Sequence, residues 1–173
     1  MKTKNIYIFL LAVIFEYLRD YIFINLNIFI DFKQNLNNGL NVINYTDTAI
    51  NDLIQNFSLN SLNKIKWVLS IGFAAIFFLI GVLFSKINLN QKHNFKFIYL
   101  LSIGGLSVLI TSFIIFFIGQ HLNIENENNF YSVSIELSHF VQSALFPISF
   151  FLVYWSINKN EVFKIKSKNE GEK

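Results

Sequence analysis

Cysteine is absent, which excludes disulfides, thiolate-held metals and cysteine nucleophiles. One proline and seven glycines leave little material for a loop-rich or disordered chain. Charge is scarce too, at 14% of residues against about 25% in an ordinary soluble domain. Arginine occurs once, as Arg19. The chain has no glycine-rich phosphate loop and no His-Glu-x-x-His motif, and no Gly-x-Ser-x-Gly elbow. Basic patches interleaved with stacking aromatics are missing outside the apolar blocks, which argues against nucleic-acid binding.

What the chain does have is apolar bulk. Hydrophobic residues make up 53% of its 173 positions, 21 of them phenylalanine, with a mean hydropathy of +0.45. Most of that content lies in long blocks, the composition of an integral membrane protein. A bilayer core of about 30 Å takes roughly 20 apolar residues in a helix. Four segments meet that need, at about 5–30, 67–85, 97–119 and 137–157. The expected fold is therefore all-α and polytopic, one four-helix transmembrane domain over 1–158 followed by a charged tail at 159–173. Ile50, Leu53, Ile54 and Phe57 recur at helical spacing after Thr46, Asp47 and Thr48, which supply N-cap chemistry. They predict a short amphipathic helix at 47–57 on the outer membrane surface.

Lysine placement sets the orientation. Lys2 and Lys4 precede the first span, and Lys86, Lys92 and Lys96 fill the connection between the second and third. Lys159, Lys164, Lys166, Lys168 and Lys173 follow the fourth, whereas 120–136 has three glutamates and no lysine or arginine. Lys33, Lys64 and Lys66 fall on the other side as a minority, and the positive-inside rule then puts both termini in the cytoplasm. Abundant asparagine beside Ile, Lys and Phe suggests an AT-rich bacterial genome, hence an inner-membrane location. Lys2, Lys4 and the apolar run 6–15 could open a signal peptide, but no small-x-small cleavage pattern follows, so the segment is read as retained.

The first span carries an anomaly. Glu16, Arg19 and Asp20 interrupt its apolar run, at roughly 2.5–3.5 kcal/mol each near mid-bilayer. Glu16 and Arg19 are three apart, so one arginine can bridge two carboxylates. The stripe continues through Phe23, Asn27 and Asp31. Entering from the cytoplasm near Asn5, Glu16 lies about 16 Å in and Asp20 about 22 Å in, in the outer half of the membrane.

Small residues predict where helices approach. Ser70, Ala74, Gly81 and Ser85 line the second span and Gly104, Gly105, Thr111, Ser112 and Gly119 the third, which makes these two faces candidates for mutual packing. The fourth span is polar on two sides. Glu136, His139, Ser143 and Pro147 fall within about 80° of one another, and Ser138, Gln142, Ser149 and Ser156 oppose them. Pro147 should kink that helix and free the carbonyl of Ser143 beside His139.

Topology brings Glu16, Asp20, His121, Glu136 and His139 to the outer side, residue types able to hold a divalent cation or relay a proton. Glu136 and His139 have the spacing of half a carboxylate-bridged dimetal site, but the chain has that motif once. The preferred reading is an ion-pair cluster of Glu16, Arg19 and Asp20 that pins the first span to the fourth. No cofactor is expected, and His93, among lysines, is read as solvated. The function expected is a non-enzymatic accessory or assembly subunit. Beyond the lipid bilayer it would bind a protein partner, or a second copy, through the Ser138, Gln142 and Ser149 face. An ion- or proton-coupled transporter component is the alternative, and a membrane-embedded metal-dependent enzyme comes third.

Overall fold

The computed structural model describes residues 3–121 and 127–170. All regular structure in them is helical: α1 (Thr3–Asn37), α2 (Thr48–Ile54), α3 (Leu59–Asn88), α4 (Gln91–His121), α5 (Glu127–Val141) and α6 (Leu145–Glu170). The starts are set by side chains that take up orphan N–H groups. Asp47 accepts from Ala49 N–H at 2.9 Å, Ser58 from Ser61 at 3.2 Å and Asn90 from His93 at 3.0 Å. α1 stops in a left-handed turn at Gly39, φ 75°. There Leu40 N–H bonds to Asn35 C=O and Gly39 N–H to Leu36 C=O, closing the helix with a Schellman motif.

α3 and α4 are each long and apolar enough to cross a membrane. α5 and α6 make a third candidate only as a broken pair, Ser132–Val141 and Leu145–Asn158, meeting at 72°. The sequence predicts four continuous spans, and the structure supports two to three. α1 falls short because Glu16, Arg19 and Asp20 occupy its middle, with Lys4, Asp31 and Lys33 near its ends. The predicted span 137–157 is broken at 142–144 because a new helix begins at Leu145. Pro147 then stands in the first turn of α6, where its missing N–H costs no hydrogen bond. α6 continues to Glu170, so 159–170 extends the helix.

Three apolar clusters hold the bundle. Ala12 and Phe23 of α1 pack on Phe73, Phe77 and Ile80 of α3. Leu26, Phe29 and Ile30 meet Ile54 of α2 and Leu62 of α3. Phe97 and Leu101 of α4 meet Val141, Phe146 and Tyr154. α2 is shorter than the predicted 47–57 and turns Ile54 into the protein, while Leu53 stays 70% exposed.

The small-residue seam joins different helices from those expected. Gly104 lies against the ring of Phe150, Gly105 against Phe146 and Gly119 against Phe130, all from α5 and α6. Gly81 of α3 receives Pro147 as well as Leu101 of α4. The glycines of α3 and α4 thus admit the bulky residues of the broken helix more than they admit each other. Ser112 adds a hydrogen bond to the carbonyl of Ser134, 2.7 Å, fixing α4 to α5.

Candidate functional site

The break between α5 and α6 leaves backbone groups without helical partners, and α1 supplies them. At the end of α5 the ladder tightens, with Gln142 N–H bonding to His139 C=O and Ser143 N–H to Phe140 C=O. The carbonyl of Gln142 accepts from Arg19 Nη1 at 2.8 Å. Two residues on, Ala144 N–H donates to Glu16 Oε2 at 2.7 Å. Arg19 Nη2 lies 2.8 Å from Glu16 Oε1 and 2.6 Å from Asp20 Oδ1, and Nε reaches the same Asp20 oxygen at 3.1 Å. A cation therefore stands at the C-terminus of one helix and an anion at the N-terminus of the next, each favoured by the helix dipole there.

Other predicted residues fall as follows. The Ser143 carbonyl is not left free, because Phe146 N–H donates to it at 3.2 Å. Gln142 is 3% exposed, so the face expected to meet a partner turns inward at this position. Its Nε2 donates to the Ser138 carbonyl and hydroxyl at 3.1 and 2.9 Å, while its buried Oε1 finds no hydrogen-bond partner. His139 is exposed with its ring tilted against Phe23, centroids 6.3 Å apart, and Glu136 is exposed. The side chain of His121 lies outside the described residues. Among the described residues no three His, Asp or Glu side chains gather where a metal ion could be held.

Three buried polar side chains, His93, Ser85 and Asn25, take partners that the sequence did not indicate. His93 is not solvated; it is 3% exposed, and its Nδ1 lies 2.6 Å from the Tyr154 hydroxyl. The hydroxyl of Ser85, also buried, lies 2.5 Å from Asn94 Oδ1 and 2.9 Å from the Val82 carbonyl, which share its one proton. In the first helix, Asn25 is buried and spans two elements. It donates to the Tyr21 carbonyl at 2.9 Å and accepts from Asp47 N–H at 2.7 Å, seating the residue that caps α2. Lys33 holds the other end of α2 by donating to the carbonyls of Gln55 and Phe57. The only sequence signal for Asn25 was an amide within an apolar run.

Comparison with protein-family models, with curated proteins and with solved structures found no match.

Proposed function

We propose that this protein is a non-enzymatic membrane subunit that docks a larger membrane protein through the exposed ionisable side of α1 and α5. The observation that carries the reading is the state of three groups. Arg19 and Glu16 are engaged within the chain, but Asp20 keeps 52% of its side chain exposed, and Glu136 and His139 are exposed. An ionisable group facing lipid costs roughly 2.5–3.5 kcal/mol at mid-bilayer and less toward the outer side where these three lie. A partner's polar groups remove that cost. In this reading α1 is a fourth crossing helix, made tolerable by its own ion pairs.

In this reading the protein sits in a bacterial inner membrane with both termini in the cytoplasm, and contacts between helix ends are compatible with that orientation. Asn5 and Asn88 exchange amide hydrogen bonds of 2.9 and 3.1 Å, which joins the start of α1 to the end of α3. His93 and Tyr154 join the start of α4 to α6. Lys4, Lys86 and Lys92 thus fall at one end, while Lys33, Lys64 and Lys66, a minority of the chain's lysines, fall at the other, a bias of the kind the positive-inside rule reads. A photo-crosslinker at Glu136 should capture one larger membrane protein in native membranes, and a crosslinker at the 69% exposed Tyr99 should not. Equal labelling at both positions, or a dimer of this chain alone, would sink the proposal.

One observation favours a second reading. Ion-coupled transporters place broken helices beside charged groups, as Glu16 and Arg19 stand beside the α5–α6 break. Vesicles containing the purified protein should then show a pH-dependent cation flux that Glu16→Gln abolishes. The subunit reading expects no flux in either protein.

A further inference from the structure

We propose that the turn at residues 43–45 is a membrane-interface anchor set among the lipid headgroups, and that α2 stands upright beside it instead of lying on the surface. α3 gives the level. Its uncharged stretch 67–85, bracketed by Lys66 and Lys86, is roughly 28 Å long at the helical rise, close to one hydrocarbon core. The hydrocarbon therefore ends near the exposed Trp67. Leu26 of α1 shares an apolar cluster with Leu62 and Leu69 of α3, which flank Trp67. Asn25 is thus at that level too, and its Oδ1 accepts from Asp47 N–H at 2.7 Å. The start of α2 is fixed at the edge of the hydrocarbon.

From there α2 climbs away from the bilayer. The carbonyls of Gln55 and Phe57 at its far end accept from Lys33. Asn25 to Lys33 and Asp47 to Gln55 are both eight residues, roughly 12 Å of helix each. α2 accordingly runs alongside α1, with Ile50 and Ile54 in the cluster of Leu26, Phe29 and Ile30. What stays at the surface is the turn before it. Asn44 Oδ1 accepts from Thr46 N–H at 3.0 Å, an Asx-turn with Tyr45 at its tip. Asn44 Nδ2 donates to Asn51 Oδ1 at 2.9 Å, which keeps the turn within about one helical turn of Asp47. That height is the headgroup layer, roughly 5–7 Å deep on each side. Tyr45 is 75% and Ile43 71% exposed, at the depth where tyrosine and tryptophan collect. Residues 34–46 carry no charge, so nothing in the turn opposes burial among lipids. The inference rests on the crossing of α3 and is independent of the partner docked at α1 and α5.

The test is the depth of single nitroxide labels on the full chain in phosphatidylcholine–phosphatidylglycerol vesicles. Because the chain has no cysteine, each label needs one substitution and no background removal. Val68→Cys, on an exposed face of α3, is the lipid reference, and Asp52→Cys, exposed on α2, the water reference. Collision with oxygen relative to a nickel chelate should place Ile43→Cys and Tyr45→Cys between the two, several-fold above Asp52→Cys. Leu53→Cys should match Asp52→Cys. Aqueous readings at both Ile43→Cys and Tyr45→Cys overturn the proposal. So does a Leu53→Cys label deeper than Ile43→Cys, which would restore the flat helix that the sequence pattern predicts. Shielding of both turn labels from both reagents overturns it as well, by showing that a second copy covers the turn. A failed crosslink at Glu136 alongside interfacial depth at Tyr45→Cys would remove the docking reading and leave this one standing.

Discussion

Arg19→Ala is expected to be the most damaging single substitution in the chain. It strands Glu16 and Asp20 as unpaired carboxylates and leaves the Gln142 carbonyl without its donor. Breaking a fully buried ion pair costs about 3–5 kcal/mol. Here Arg19 is 15% exposed but Glu16 is 31% and Asp20 52%, so the loss should fall below that range. It is still a large part of a typical total stability of about 5–15 kcal/mol. Steady-state abundance should fall sharply, and the purified remainder should unfold at a markedly lower temperature in detergent. Arg19→Lys should rescue only in part, because a single ammonium cannot reproduce the planar fork that reaches two carboxylates and a carbonyl. Glu16→Gln should be milder, since a glutamine oxygen can still accept from Ala144 N–H. Normal abundance of Arg19→Ala would mean that α1 does not hold the break as described.

The second large effect is expected at Gly81. A Cβ there would lie 2.8 Å from Pro147 Cβ and 3.0 Å from Leu101 Cδ2. The proline ring cannot rotate away, so α6 itself must move, and its first turn is tied to Glu16. Overpacking of this kind costs about 1–3 kcal/mol, and Gly81→Val should lie at the upper end because it adds three carbons. Gly72→Val is the matched control on the same helix, with nothing within 4 Å of the new Cβ. Thermal unfolding of the two variants side by side checks the packing. If both melt with the wild type, α3 and α6 do not approach as the structure has them.

Helical character was legible from apolar block length, but the single proline predicted a kink in one continuous span, whereas the helix breaks outright ahead of it at 142–144. Arg19 stood out because one guanidinium among phenylalanines is costly wherever it lies. The interhelical partners of Arg19 and Glu16 were not legible, since they are the backbone oxygen of Gln142 and the backbone N–H of Ala144 respectively. Any residue type carries those atoms, and only a broken helix exposes them. His93 was misread for a related reason: lysines surround it in sequence, but burial comes from Tyr154, 61 residues away. Small residues marked where close approach happens without saying what approaches. Rings from α5 and α6 fill the notches that a four-rod picture assigned to neighbouring spans.

The separation of Arg19 and Glu16 from their backbone partners, 123 and 128 residues along the chain, has a consequence for biosynthesis. The ion pairs within α1 are local and can form as soon as that helix leaves the ribosome. Its grip on Gln142 and Ala144 must wait until α5 and α6 are made. The apolar packing of α1 on α2 and α3 can form earlier, but its polar contacts close last. A chain truncated before α5 therefore keeps the ion pairs of α1 but lacks the two backbone groups that complete them.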